Sequence, residues 1–211
     1  MFMSRVRIFA ALIAAASATQ PAVAQDDPTP AAEAENNSIA SAIIFAEKLT
    51  ADATTVLTDE GASETEKLEN FRVVLANGMA LDVIGRFMIG EARKTMSDDQ
   101  TARYSEIFPP YITQLYAEQF QEIVGKPLEV IEAKAIGARD VIVRTQFDRK
   151  EGSPIMVDWR VRHLRSGERK AIDIIVSGVS IMLVKREEFS AFVAANGIDA
   201  LMDRLEAEAG I

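Results

Sequence analysis

The apolar residues of this chain change their period once, at Gly125-Lys126-Pro127. Before that point they recur at helical spacing, and after it they alternate, so one sequence must build a helical layer first and a sheet second. The helical part divides at its own punctuation. One helix is expected from Ser38 to about Thr58, with Ile43, Phe45, Ala46, Leu49, Val56 and Leu57 as its stripe. Ser63-Glu64-Thr65-Glu66 opens a second, which pauses at Asn77-Gly78. A third carries Leu81, Ile84, Phe87 and Met88 and reaches Gly90, a residue suited to ending or kinking it. Ser97 and Gln100 have capping-box spacing and start a long helix. Its broad apolar face includes Tyr104, Ile107, Phe108, Tyr111, Ile112, Leu115, Tyr116, Phe120, Ile123 and Val124. Pro109-Pro110 is expected to bend or break that helix, because proline removes an amide and crowds the preceding turn.

The alternating part predicts four strands over 128–135, 139–148, 154–163 and 170–177. In the second, Val141, Val143, Thr145 and Phe147 share a face; in the third, Ile155, Val157, Trp159 and Val161 do. Ser166-Gly167 marks a hairpin loop. Gly178-Val179-Ser180 turns the chain out of the sheet into a helix bearing Phe189, Phe192 and Val193. Asn196-Gly197 ends it, and a last amphipathic helix follows. Helices, strands and helices in that order predict an α+β domain: helices on one face of a curved, four-stranded, antiparallel sheet.

The first residues set an address. Arg5 and Arg7 precede an apolar run of eleven residues, Ile8–Ala18, and Ala22 and Ala24 supply small side chains for a peptidase. The run is too short to span a bilayer of roughly 30 Å. Residues 1–24 are therefore expected to be a secretory signal cleaved near Ala24, and a lipid anchor is excluded because the chain has no cysteine. Residues 25–37, polar and rich in Pro and Ala, are expected to be a disordered linker before one domain over 38–211. Removing 24 of 211 residues leaves 187, enough for a single core. The signal takes two of the 23 Lys+Arg and none of the 32 Asp+Glu, so the mature chain carries 21 cations against 32 acids, a net −11. Such a surface repels phosphates, which argues against a nucleic-acid partner.

Little in the composition favours catalysis. The absence of cysteine removes disulfides, thiol nucleophiles and thiolate metal sites together. His163 is the single histidine and sits at a strand end, while Gly178-Val179-Ser180-Ile181-Met182 lacks the second glycine of a nucleophile elbow. The carboxylate pairs Asp98-Asp99, Glu187-Glu188 and Glu206/Glu208 fall on helix starts or solvated faces, away from the burial that would tune them for proton transfer. No dense acidic loop of the kind that holds calcium is present, so neither an enzyme nor a metal or cofactor is expected. Arg160, Arg162, His163, Arg165, Arg169 and Lys170 form a basic stretch that reads as a solvated hairpin or as a contact for an anionic partner or lipid headgroups. The remaining feature is a heavy apolar load, which spacing alone assigns to a core.

Three stretches resemble the MlaC/toluene-tolerance family. Arg86-Phe87-Met88-Ile89-Gly90, Ser97-Asp98-Asp99-Gln100 and Tyr104-Ser105-Glu106-Ile107-Phe108 are similar to its first block. Ile172 to Met182, with Asp173 and Gly178-Val179-Ser180, is similar to its second; Phe189 and Asn196-Gly197-Ile198-Asp199-Ala200-Leu201 match its tail. The resemblance spans about residues 40–208. It implies an NTF2-like fold with an apolar pocket between helices and sheet. It also implies a periplasmic carrier of phospholipid between an outer-membrane lipoprotein–porin complex and an inner-membrane MCE-domain/ABC transporter. Joined to periodicity, it makes Phe87, Phe108, Tyr111, Ile112, Leu115, Val143, Phe147, Val157, Trp159, Ile172, Ile174, Val176 and Ile181 candidate lipid-binding walls. The chain departs from the family where Val184-Lys185-Arg186 stands for Asn-Tyr-Arg, where Ser177 replaces a Glu, and where Trp159 lies one strand earlier than the usual Trp. A hopanoid-type lipid traffic protein and a non-lipid adaptor of the same fold are the alternatives.

Overall fold

The computed structural model describes residues 29–120, 128–149 and 152–211. The expected signal, the Gly125–Pro127 boundary and part of the expected apolar face after Phe120 lie outside the described residues. Three helices, α1 (Pro30–Leu57), α2 (Glu64–Gly78) and α3 (Leu81–Ile89), lead through a 3₁₀ turn (Gly90–Lys94) into α4 (Asp98–Phe120). Then come β1 (Leu128–Ile136), β2 (Asp140–Phe147), β3 (Ile155–His163), β4 (Arg169–Val176), β5 (Val179–Ser180), α5 (Ile181–Asn196) and α6 (Ile198–Ala209). The strands form one antiparallel sheet in the order β1-β2-β3-β4-β5. The architecture is the expected α+β, with five strands instead of four. The extra strand is two residues long: Gly178-Val179-Ser180 makes a tight return onto β4 before α5 departs.

Local signals account for most boundaries. Ser63 and Glu66 close a full capping box on α2, and Ser97 and Gln100 exchange amide bonds of 3.0 and 3.1 Å at the start of α4. Gly90 ends α3 with φ +56°, a conformation that strains any residue with a Cβ. Two expectations are corrected. First, α1 begins at Pro30, well before Ser38 and inside the stretch read as disordered. Thr29 caps it by accepting from the Ala32 amide, and Pro30 occupies the first turn, where its missing amide costs nothing. The Ala- and Glu-rich residues that follow have high helix propensity and continue the helix while exposed. Second, Pro109 and Pro110 do not break α4. The carbonyls they deprive belong to Ser105 and Glu106, both exposed and able to take water. Tyr104, Ile107, Phe108, Tyr111, Ile112 and Tyr116 are buried on both sides of the prolines. At about 2 kcal/mol for each buried apolar side chain, that burial outweighs a helix defect of roughly 3 kcal/mol for each proline.

One face of the sheet is covered. α1 crosses β1 to β4, while α3 and α5 pack on β4. Behind them α4 packs against α2, α3 and α6. The covered face carries Val141, Val143, Thr145 and Phe147 of β2 and Ile155, Val157, Trp159 and Val161 of β3, all buried as the alternation predicts.

Candidate functional site

Strand register turns alternation into transverse rows. Val143 pairs with Trp159, which pairs with Ile174; Thr145 pairs with Val157, which pairs with Val176. Residues in register on neighbouring strands share a face, so these rows form a continuous apolar floor. Phe108, Tyr111 and Ile112 of α4 belong to the same buried cluster, with Tyr111 5.8 Å from the Phe189 ring of α5. Of the thirteen expected wall residues, Phe108, Tyr111, Ile112, Val143, Phe147, Val157, Trp159 and Ile174 belong to this buried cluster, and Phe87, Leu115, Val176 and Ile181 pack against it half-buried. Ile172 is buried but stands outside the cluster. The register slips by one residue opposite Arg160/Val161, which leaves Ile172 as the unpaired residue of a bulge. A period-two reading of β4 does not anticipate that slip.

Most polar atoms inside the apolar volume are spoken for. Trp159 Nε1 donates to Thr145 Oγ1 at 3.0 Å, and that hydroxyl donates to the Val157 carbonyl at 2.6 Å. Tyr104 donates to the Gly85 carbonyl at 3.0 Å. Asp173 accepts from the Ser180 hydroxyl and from the amides of Ile174 and Met182. Burial pushes its carboxyl above the usual value; the three hydrogen bonds and the charge of Arg160 oppose the shift. Tyr116 is the exception among these groups: it is fully buried and its hydroxyl has no hydrogen-bond partner among the described residues. Burial, and then the charge of Asp173, push its phenol far up, so it stays protonated. Its place on the helical stripe was legible; its lack of a partner was not.

The first sequence block meets the residues that follow the second. The Arg186 guanidinium lies 4.4 Å over the Phe87 ring, with its Nε 3.6 Å from where a Cβ on Gly90 would stand. Phe87 is thereby covered by α5 on one side. Ser180, read above as a poor nucleophile, caps α5 by accepting from Leu183 N at 3.0 Å while donating to Asp173. His163 is exposed at the end of β3. Part of the basic stretch is engaged within the fold. Arg160 and Arg162 both donate to Asp140, and Lys170 donates to the Asn77 carbonyl. Burial opposes charge on Asp140, but the hydrogen bonds from Arg162 and Arg160 hold its carboxyl below the usual range. Among the described residues no acidic or histidine cluster could hold a metal ion, and no helix is long and apolar enough to cross a membrane.

A concavity of about 180 Å³ opens between α3 and α4. Leu81, Gly85, Ile89, Met96, Tyr104 and Phe108 are among its lining residues, and Asp82, Arg86 and Arg93 add charge to it. Sequence reading did not find it, because it depends on the absence of a side chain at Gly85, against which Phe108 packs.

An open antiparallel sheet roofed by helices, with aromatic and branched side chains gathered between the layers, defines the class: an α+β domain organised around an apolar interior. Residues 47–207 match the family described as MlaC protein. The chain is 25% identical over 133 residues to the intermembrane phospholipid transport system binding protein MlaC of Haemophilus influenzae. That match spans 61% of this chain and 62% of the relative's length. The fold is similar to that of the phospholipid-binding protein from Ralstonia solanacearum, solved in complex with a phospholipid. The TM-score is 0.67 at 16% identity, covering 79% of this chain and 96% of that one. The chain belongs to the MlaC family.

Proposed function

We propose that the mature protein is a periplasmic phospholipid-binding shuttle and not an enzyme. It carries lipid between the outer membrane and an inner-membrane MCE-domain/ABC transporter, which maintains lipid asymmetry. The observation that carries this reading is the apolar floor of Val143, Val157, Trp159 and Ile174, which shares one buried cluster with Phe108, Tyr111 and Ile112. Membership of the MlaC family supports it, as does the phospholipid bound by the protein of similar fold. The outer-membrane partner on this reading is a lipoprotein–porin complex.

The energetics favour a carrier. Burying a methylene is worth about 0.8 kcal/mol, so exposing two acyl chains of about fifteen methylenes each would cost on the order of 24 kcal/mol. Passage through water unaided is closed on that scale. A pocket as apolar as the bilayer makes loading nearly neutral, and direction then comes from ATP used by a partner. Native mass spectrometry of protein purified from cells tests the reading: phospholipid should co-purify, and Leu115→Glu on the half-buried edge should reduce it strongly. Lipid-free protein that takes up nothing from phospholipid vesicles would overturn it.

A further inference from the structure

Tyr116 is the anomaly of the interior. It is fully buried on α4, one turn after Ile112 and on the same face. An unpaired buried hydroxyl keeps the cost of losing water without the return of a new hydrogen bond. Phenylalanine would fill the same space without that cost. The buried carboxylate whose charge reaches it, Asp173, is committed to Ser180 and to the amides of Ile174 and Met182.

The hydroxyl suits an acceptor brought in by a ligand. It keeps its proton, so it is a neutral donor. Asp173 is the anionic group whose charge reaches it, which disfavours a phosphate oxygen at the same place. The acceptor it fits is uncharged and lies on an otherwise apolar molecule. We infer that Tyr116 is the ester contact of the pocket: its hydroxyl donates to an acyl-ester carbonyl of the bound lipid and selects acyl over alkyl-ether chains. This inference rests on the lipid-carrier reading and adds a specificity-determining residue to it.

The test is a competition. Full mature protein is incubated with vesicles holding equal amounts of dipalmitoyl phosphatidylethanolamine and its ether-linked dihexadecyl counterpart, and the lipids retained are weighed by native mass spectrometry. Wild type should retain the ester lipid about fivefold over the ether lipid, the ratio expected of one neutral hydrogen bond. Tyr116→Phe should bring the ratio close to unity. A urea titration confirms that Tyr116→Phe is folded, and Tyr116→Leu provides a second hydroxyl-free variant. An unchanged ester-to-ether ratio in both variants would overturn the inference while leaving the carrier intact. Uptake of neither lipid by wild type would overturn the carrier reading and this inference with it.

Discussion

The Ser180 hydroxyl donates to the Asp173 carboxylate at 2.6 Å and accepts the Leu183 amide at 3.0 Å, so one side chain ties β4 to the first turn of α5. Asp173 completes the junction by accepting from Met182 N at 3.3 Å. Ser180→Ala removes a helix cap and the donor to a buried carboxylate together. We expect a loss of about 2 kcal/mol in urea unfolding. A change within about 0.5 kcal/mol would mean that the junction is held by packing alone.

Asp173 also predicts a pH dependence. Its folded carboxyl is raised above the ordinary 3.8, so the native state holds the proton more tightly than the unfolded chain. The stability linked to this group is present below pH 3.8 and is lost as pH rises through the folded value. Asp173→Asn keeps an acceptor for the two amides and removes the titration. Its urea midpoint should fall less than that of wild type between acid and neutral pH. Parallel curves for the two proteins would sink this assignment.

Asp140 works in the opposite sense. Arg162 reaches both of its oxygens at 2.6 Å, and Arg160 donates twice to Oδ2 at 2.7 and 3.0 Å. The folded carboxyl is lowered, so its contribution is present above the unfolded value of 3.8 and lost as pH falls through the folded one. Asp140→Asn should cost about 2 kcal/mol at neutral pH and flatten the acid limb of stability. An acid limb as steep in the variant as in wild type would assign that limb to other carboxylates.

These groups show what a linear reading reaches. Capping residues at Ser63 and Ser97 were legible because a cap is local: its donors and acceptors lie within three residues. The buried faces of β2 and β3 were legible because strand alternation is a rigid geometric consequence of the pleat. The prolines of α4 misled because tertiary burial, which a local rule does not count, decides whether a defect is tolerated. The pairing of the basic hairpin was not legible either: Asp140 stands twenty residues before Arg160 and meets it only once β2 and β3 pair. Ile172 was counted as a wall residue because a bulge shifts a strand without altering its composition. Within the candidate site, the apolar types and their strand faces could be read from sequence. The unpaired Tyr116 hydroxyl could not, since a missing partner leaves no mark on residue spacing.

Gly85 is the close approach between α3 and α4. A Cβ built there would lie 2.9 Å from Cδ1 of the Phe108 ring, a rigid group that is itself 2% exposed. Alanine gains up to about 1 kcal/mol of helix propensity, while overpacking a rigid ring costs roughly 1–3 kcal/mol. Gly85→Ala should therefore destabilise by about 1 kcal/mol and displace Phe108. A combined Gly85→Ala/Phe108→Leu protein should recover part of the loss, and a double-mutant cycle measures that coupling. Additive losses would show that Phe108 does not set the spacing.

Trp159 gives a direct optical view of the interior, being the only tryptophan in the sequence. It is 3% exposed and lies in the row between Val143 and Ile174. If acyl chains occupy the space over that row, phospholipid carrying bromine on its chains should quench Trp159 emission on loading, whereas bromine-free lipid of the same length should not. Thr145→Val separates structure from binding. It takes away the hydroxyl that Trp159 Nε1 donates to and that itself bonds Val157, at a cost of about 2 kcal/mol, while keeping the side-chain volume. The variant should melt earlier and shift the emission of the free protein, yet still be quenched by brominated chains. Lipid retained by mass but without quenching of wild type would remove Trp159, and the row it occupies, from the pocket wall.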